Sequence, residues 1–496
     1  MRNDNPEYST LAAGQFLKSY WSIFAWAFLY LVIAGAIQFN IPYPWDYDTA
    51  YHAAMGKLIR EHGPLDSFPW TPFSWLYDHF ADDELLFHLL FVPFAKLDWI
   101  TASQIVGTIA GSTILIVFYL LFRTERVRFA GLWALVPLAC SLLFFFRFIL
   151  VRPHLLSISL SLIFLWAAVR GRLAILAAVS ATYPLVYIAF WQLPCLLLFA
   201  AETAHFFAGK GIRWKPAAVA FAGIALGVAV HPNALELLRY NWIVMYYVLF
   251  KIGWMTDVGF DMGAELGPYP LGGWVQGLLF PVFFLIASAI FSWRNRKNDM
   301  LSLAFMFVAL GFCVLTIRSA RFAEYFVPFS VAALALSTKT LTRRFLAPLI
   351  LSISLIYTLW AGYPTLSDIT SLQNKMPPDI AAALQQQIPP GSQVFTTDWY
   401  NTGLLMLTLP DRLFLVTQDP TFLYLKDPEL YQVWYSITHD APPGMAETIR
   451  KRFNSRYVIV SNPPQMAKFS YQLFMDPGVR MLLNTNQWMV FDLGTP

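Results

Sequence analysis

Apolar runs close to the length that a membrane-spanning helix needs, about 20 residues, recur along most of the chain. They predict eleven spans, at 20–39, 101–122, 129–149, 154–169, 173–189, 192–208, 216–231, 272–292, 299–317, 322–338 and 345–361. The pattern is therefore typical of an α-helical multi-pass membrane protein with about 11 transmembrane helices.

Clusters of Lys and Arg between these runs predict the orientation, because cytoplasmic loops collect such residues. With a cytoplasmic N-terminus, all the basic clusters lie inside: Arg123/Arg126/Arg128, Arg170/Arg172, Lys210/Arg213/Lys215, Arg294/Arg296/Lys297 and Lys339/Arg343/Arg344. This requires that the apolar segment 84–97 does not cross. At about 14 residues it is short for a span, and we interpret it as a helix in the outer interface.

Two regions are too polar for the membrane. One is the first outer loop, 40–100, within a membrane domain predicted at 1–362. The other is the region 363–496, which we predict to be a small C-terminal α/β domain on the periplasmic side. Its short apolar runs are typical of strands, at 393–395, 413–416, 457–460 and 488–491, and helical stretches lie at 428–438 and 443–453.

The composition supports this interpretation. Hydrophobic residues make up 57% of the 496 residues and charged residues only 13%, against about 45–50% and about 25% in soluble proteins. Soluble enzymes and nucleic-acid-binding proteins are thereby excluded. The three cysteines, Cys140, Cys195 and Cys313, all lie in apolar runs, so no disulfide framework is expected.

Candidate catalytic residues lie early in the first outer loop. Asp48 and His52 are four residues apart, so they share one face of a helix, and Asp46 lies just before them. A carboxylate near a His is suited to general-base catalysis or to metal binding. The alternative is an interfacial loop with aromatic anchors and a capping Asp. Most of the other acids and histidines that follow in the loop are expected to be solvated or capping residues: His62, Asp66, Asp78, His79, Asp82, Asp83 and His88.

Further polar residues lie where predicted spans reach the same side. Arg152 and His154 join the third and fourth spans. The Arg is suited to holding a phosphate, and the alternative is that it extends towards lipid headgroups. His231 ends the seventh span, and the Pro232 that follows it favours an ordinary helix end.

The ninth span ends at Arg318, and Arg321, Glu324 and Tyr325 follow on one helical face. Arg residues on the outer side oppose the usual charge bias, so they need a reason. We favour phosphate or pyrophosphate binding by Arg318 or Arg321, and the alternative is a structural Arg–Glu pair. A carboxylate beside such cations is suited to group transfer from a phosphorylated lipid.

Short motifs extend over nearly the whole chain in a definite order. They are Asp46–His52, Glu61–Pro64, Phe68–Trp70, Phe87–Phe94, Arg152–His154, His231–Asn233, Arg318–Arg321, Thr397–Gly403 and Pro410–Arg412. Together they resemble the integral-membrane glycosyltransferases of the GT-C fold, in particular the bacterial branch that is similar to oligosaccharyltransferase catalytic subunits.

The resemblance implies a sugar donor linked to polyprenyl phosphate or diphosphate and an acceptor that is a lipid or a glycan. It implies an inverting transferase on the outer face of the bacterial inner membrane, with Asp48 as base or acceptor-positioning residue and Asp46 as its partner. Arg318 and Arg321 would face the donor phosphate. The complete substrate-binding set that we predict is His52, Arg152, His154, His231, Arg318, Arg321, Glu324 and Tyr325.

Two departures narrow the prediction. Oligosaccharyltransferases carry a second acidic, metal-binding motif near the fourth span, where this chain has Arg152-Pro153-His154. Their Trp-Trp-Asp-Tyr-Gly acceptor motif is also absent from the sequence. The first departure argues against a divalent-metal cofactor, and the second argues against transfer to a protein Asn.

Three other functions stay open at this point. A polysaccharide polymerase or ligase that uses lipid-linked repeats would share the Arg residues but would not need Asp48. A non-catalytic GT-C-like scaffold would keep the fold without the chemistry. A transporter is disfavoured, because charged residues are nearly absent from the centres of the predicted spans.

Overall fold

A computed structural model describes residues 6–41, 46–251, 266–339, 345–371, 376–417, 419–461 and 464–494. Arg343 and Arg344, which belong to the last basic cluster, lie outside these ranges. The helices before residue 376 are α1 (Pro6–Asn40), α2 (Asp48–His62), α3 (Leu85–Phe91), α4 (Trp99–Thr124), α5 (Ala130–Trp133), α6 (Val136–Cys140), α7 (Leu142–Ile149), α8 (His154–Arg170), α9 (Leu173–Thr182), α10 (Gln192–Phe207), α11 (Trp214–Val230), α12 (Ala234–Ile243), α13 (Leu271–Arg294), α14 (Met300–Arg318), α15 (Ala323–Ser337) and α16 (Leu346–Ser371).

Four of these helices, α1, α4, α13 and α14, are long and apolar enough to cross a membrane. Two further pairs of helices, α7 with α8 and α11 with α12, are apolar enough when taken together, but each pair is bent by 115° at a short break. If each bent pair is counted as one span, two further spans result. The described residues therefore indicate a multi-pass membrane protein with four to six such spans, and the predicted count of eleven is not confirmed.

The predicted span at 129–149 is wrong as one continuous helix. The segment forms the three short helices α5, α6 and α7, and Ser141 between the last two is extended. Its hydroxyl donates a hydrogen bond to the Gly277 carbonyl oxygen at 2.5 Å and accepts one from the Phe144 backbone N–H at 3.1 Å. The side chain therefore caps α7 and ties it to α13.

The C-terminal region contains α17 (Pro378–Gln387), β1 (Gln393–Thr396), α18 (Thr402–Thr408), β2 (Leu413–Phe414), α19 (Thr421–Lys426), α20 (Pro428–Asp440), α21 (Met445–Phe453), β3 (Tyr457–Ser461), α22 (Ala467–Phe474), β4 (Arg480–Asn484) and β5 (Trp488–Asp492). The strands form one mixed sheet in the order β2-β1-β3-β5-β4. β1 is parallel to β2 and β3, and β5 is antiparallel to β3 and β4.

Four of these strands coincide with the predicted ones, and β4 was not predicted. β3 is buried at every residue, which agrees with its unbroken apolar sequence. β4 is partly exposed, and its pairing with β5 shifts register between Met481 and Leu483. A strand of this kind lacks a regular alternation of buried and exposed positions.

The first loop and the C-terminal region pack on each other. Trp70 donates its indole N–H to the Pro410 carbonyl oxygen at 2.8 Å, and its own carbonyl oxygen accepts from the Phe414 N–H at 2.6 Å. Residues from both regions, among them Met55 and Leu405, form one apolar core. The loop is therefore held by contacts with the sheet region as well as by the membrane helices.

Gly403 provides a test of this packing, because α18 approaches α2 closely there. A Cβ atom at Gly403 would lie 2.8 Å from the Tyr51 backbone N and 2.9 Å from its Cβ. We expect Gly403→Ala to destabilise the protein by about 1–3 kcal/mol, which thermal unfolding in detergent measures. Gly272→Ala is the matched control, since a Cβ at that helical position meets no atom within 4 Å. Equal unfolding temperatures for the two variants would contradict the close contact between α18 and α2.

Candidate functional site

A cavity of about 730 Å³ lies where the first loop, the ends of several membrane helices and the C-terminal region meet. Its wall joins three parts of the chain that are far apart in sequence. The described ionisable residues that line it are Asp46, Asp48, His52, Asp83, Glu84, Arg147, Arg152, His154, Arg321 and Asp419, together with tyrosines. Six predicted site residues are thus brought together: Asp46, Asp48, His52, Arg152, His154 and Arg321.

Arg152 connects the two candidate catalytic carboxylates. Its Nε donates to Asp46 Oδ2, and its Nη1 lies 3.0 Å from Asp48 Oδ2. The Asp46 side chain is 5% exposed and also accepts from the Thr49 hydroxyl, whereas the Asp48 side chain is 42% exposed. Asp46 is therefore fixed within the protein, and Asp48 presents its carboxylate to the cavity.

A second, fully buried ion pair lies behind this site. Arg147 Nε and Nη2 donate to Glu324 Oε2 at 3.0 and 2.6 Å, and the Tyr187 hydroxyl donates to Glu324 Oε1 at 3.4 Å. The His154 Nε2 lies 2.8 Å from the Arg147 carbonyl oxygen. Glu324 belongs to the predicted substrate-binding set, whereas Arg147 was not predicted, although an Arg within an apolar run indicates a functional or paired residue.

Four predicted binding residues do not line the described cavity: His231, Arg318, Glu324 and Tyr325. His231 Nε2 lies 2.9 Å from the Asp82 carbonyl oxygen and so ties the end of α11 to the first loop. The Tyr325 hydroxyl bonds the Ser157 hydroxyl at 2.8 Å. Arg318 is exposed at the last residue of α14.

The expectation that most of the other acids and histidines of the first loop are solvated or capping does not hold for His88, which is buried, whereas Asp82 is buried but accepts a hydrogen bond from the Glu84 backbone N–H at 3.2 Å. His88 Nδ1 lies 2.8 and 2.9 Å from the two carboxylate oxygens of Asp82, and its Nε2 lies 2.9 Å from His52 Nδ1. Glu84 Oε2 is 3.4 Å from His52 Nδ1 and 3.7 Å from His88 Nε2. These side chains meet because α3 folds back onto α2.

The close packing of these two helices depends on Gly56 of α2. A Cβ atom at Gly56 would overlap with Phe91 Cβ of α3. Glu84 is the N-cap residue of α3 and His88 follows it by four residues, so both face His52 of α2. This i, i+4 pair was visible in the sequence, but the contact between the helices was not.

At the buried edge of the site, the surroundings favour the neutral forms of Asp83, Glu84 and His52. Burial raises the pKa of Asp83 to about 8, with a further rise from the adjacent Asp82 carboxylate. Burial and the neighbouring Asp83 carboxylate raise the pKa of Glu84 well above its usual range, and the Arg321 guanidinium opposes both shifts in part. Burial, together with the nearby His88 and Arg152, lowers the pKa of His52 well below its usual range.

Aromatic residues close the cavity on the side of the C-terminal region. The rings of Tyr47 and Tyr400 are 4.8 Å apart, and those of Tyr240 and Phe422 stack at 5.3 Å. Trp399 lies beside Tyr400 in the same wall. The pocket thus combines apolar, aromatic walls with a small number of convergent charged groups, which is typical of ligand sites.

Comparisons with known proteins show that this chain is similar to solved structures. No family model matches the chain, and no curated protein matches it in sequence. ArnT from Cupriavidus metallidurans in the apo state superimposes with a TM-score of 0.56 at 12% identity, over 95% of this chain and 98% of that chain. The arabinofuranosyltransferase AftD from mycobacteria superimposes with a TM-score of 0.57 at 12% identity.

The chain has the GT-C fold. The match with AftD covers 95% of this chain but only 40% of AftD, so the chain spans less than half the length of that protein. The fold expected from the order of the motifs is confirmed. At this level of identity the similarity extends to the fold alone.

Proposed function

We propose that the protein is an inverting GT-C glycosyltransferase. It transfers a sugar from a polyprenyl-phosphate-linked donor to a lipid or glycan acceptor on the outer face of a bacterial inner membrane. The observation that carries the proposal is the partly exposed Asp48 carboxylate in a cavity that Arg147, Arg152 and Arg321 also line. The GT-C fold, which the chain shares with an arabinofuranosyltransferase, supports sugar transfer as the reaction.

The proposed reaction assigns separate tasks to the two ends of the donor. The polyprenyl tail stays in the lipid, and the phosphosugar enters the cavity. Asp48 takes the proton of the acceptor hydroxyl while the hydroxyl oxygen bonds to the sugar carbon from the side opposite the phosphate. The bond from that carbon to the phosphate oxygen breaks, and polyprenyl phosphate leaves with the electron pair. Arg321 stabilises the negative charge of the departing phosphate.

Arg152 has a positioning task in this scheme. Its contacts with Asp46 and Asp48 hold the reactive carboxylate in one place. Asp46 is buried and shares the same Arg, so its task is to orient Arg152 and not to contact the acceptor.

The experiment that tests the proposal uses the full chain in liposomes of bacterial inner-membrane lipid extract. Labelled polyprenyl-phosphate and polyprenyl-diphosphate sugars are added as a panel, and transfer of the label from the donor is measured. We expect transfer from one class of donor. The Arg321→Gln variant should raise the KM for that donor by about tenfold or more, the loss of roughly one charged hydrogen bond.

Arg239→Gln is the matched control, because Arg239 is an exposed cation of α12 that pairs with Glu236. It should leave the KM unchanged. Absence of label transfer from every donor, in liposomes supplied with lipid and glycan acceptors, would contradict the proposed activity. An equal KM for the wild type and Arg321→Gln would remove Arg321 from donor binding.

A further inference from the structure

Three potential metal ligands converge at the edge of the cavity. His52 Nδ1, His88 Nε2 and Glu84 Oε2 are separated by 2.9, 3.4 and 3.7 Å. Zinc binds nitrogen and carboxylate ligands at about 2.0–2.2 Å with tetrahedral geometry, which places neighbouring ligand atoms about 3.3–3.5 Å apart. The three observed separations scatter around this range, so small side-chain adjustments would let all three atoms bind one ion.

The surroundings of His88 favour this use of its ring. Both Asp82 carboxylate oxygens lie within 2.9 Å of His88 Nδ1, so this nitrogen carries the proton and donates it to Asp82. The Nε2 lone pair then faces His52 and Glu84. A carboxylate that orients a His in this way is a recurrent support of metal ligands, and it raises the basicity of the ligating nitrogen.

The cluster is open on one side only. His88 is 1% exposed and lies away from the cavity, whereas His52 and Glu84 line it. Three protein ligands would therefore leave a fourth coordination position on the cavity side, and the ligand His52 lies one helical turn after Asp48. Structural zinc sites use four protein ligands, whereas sites that act on a substrate keep a position open for water or a substrate oxygen.

The charge around the cluster suits a cation. Among the described residues that line the cavity, five carry carboxyl groups and three are Arg. Two of those Arg, Arg147 and Arg152, already pair with carboxylates. The carboxyl groups of the cavity wall thus outnumber its guanidinium groups, and a carboxyl group that loses its proton on metal binding partly balances the charge of the ion.

We propose that His52, Glu84 and His88 bind one divalent transition-metal ion, Zn²⁺ by ligand type, with an open coordination position that faces the cavity. The absence of a carboxylate at 152–154 argues against a metal held by the second acidic motif of oligosaccharyltransferases. The site proposed here uses other residues, all from the first loop, and does not depend on the identity of the sugar donor. The metal-free alternative is a hydrogen-bonded chain from His52 through His88 to Asp82.

The test measures metal binding by the purified full-length protein in detergent, without any activity assay. The protein is stripped with a chelator, dialysed, and titrated with Zn²⁺ in competition with a chromophoric indicator, and elemental analysis gives the stoichiometry. We expect one tightly bound Zn²⁺ per chain. Co²⁺ in its place should show the visible absorption bands of four-coordinate cobalt.

Variants connect the ion to the cluster. His88→Gln and Glu84→Gln should each lose the stoichiometric ion and the cobalt bands. Asp82→Asn should weaken binding by roughly 10–100-fold, since it removes only the support of His88. His79→Gln is the matched control, because His79 is another His of the first loop, 40% exposed and 3.4 Å from Glu236. Its affinity should equal that of the wild type.

Two outcomes would overturn the proposal. A stripped wild type that takes up no stoichiometric Zn²⁺ favours the hydrogen-bonded chain. Uptake that persists in both His88→Gln and Glu84→Gln identifies an adventitious surface ion. Should His88→Gln fail to fold, as size-exclusion chromatography would show, the nearly isosteric Glu84→Gln and the cobalt spectrum of the wild type still decide the question.

Discussion

The Asp48→Asn variant should lose about 10²–10⁴-fold in kcat while its unfolding temperature stays near that of the wild type, because general-base catalysis contributes this much to a rate. Asn has nearly the shape of Asp but cannot take the acceptor proton. The Asp48 side chain is 42% exposed and its Oδ2 lies 3.0 Å from Arg152 Nη1, and an ion pair exposed to this degree contributes little to stability. The measurement is label transfer from the donor at saturating concentration.

Two other variants make the result specific. Asp66→Asn removes an exposed carboxylate of the same loop and should leave kcat unchanged. Asp46→Asn removes the buried partner of Arg152, so it should lower both kcat and the unfolding temperature. An unchanged kcat for Asp48→Asn would remove this residue from the proton transfer and would favour a polymerase or ligase that does not need it. Loss of activity in Asp66→Asn would point to a general defect of the loop.

The largest effect on stability is expected for Glu324→Ala. Removal of one partner of a buried ion pair costs about 3–5 kcal/mol, because the remaining charge stays in an apolar environment. Both side chains of the Arg147–Glu324 pair are almost fully buried, at 3% and 1% exposure. The variant also removes the acceptor of the Tyr187 hydroxyl. We expect a clear decrease of the unfolding temperature in detergent.

The double variant Arg147→Met with Glu324→Leu is the informative companion. It removes both charges and keeps the volume, so it should recover much of the lost stability. Glu236→Ala is the matched control, since its pair with Arg239 is exposed and contributes at most about 1 kcal/mol. Similar losses for Glu324→Ala and Glu236→Ala would show that the buried pair is reached by water.

The parts of the fold that follow from local pattern were predictable. α4, α13 and α14 lie within a few residues of the predicted spans, because a long apolar run in lipid has few alternatives to a helix. β3 and β5 agree with the predicted strands for a related reason: their residues are nearly all buried. The break at Ser141 depends on a hydrogen bond to Gly277, which no local pattern contains.

The residues of the candidate site also divide into those that local sequence spacing predicts and those that depend on contacts between distant segments. Asp48 and His52 were found from their spacing on one helix, and Arg152 and Arg321 from their place at span ends. Glu84 and His88 were missed as ligands because their role depends on the packing of α3 against α2, through Gly56. Most acids and histidines of this loop were expected to be solvated or capping residues, since such residues are mostly exposed, and the buried His88 departs from that rule. Contact between distant segments decides these cases.

The hydrogen bonds between Trp70 and residues 410 and 414 restrict how the chain threads the bilayer. Two residues in contact outside the membrane must lie on the same side of it. The chain between residues 70 and 410 therefore crosses the membrane an even number of times. This excludes an odd number of crossings in that segment, and the conclusion does not depend on any hydropathy threshold. Any mapping of the intermediate loops has to satisfy this parity.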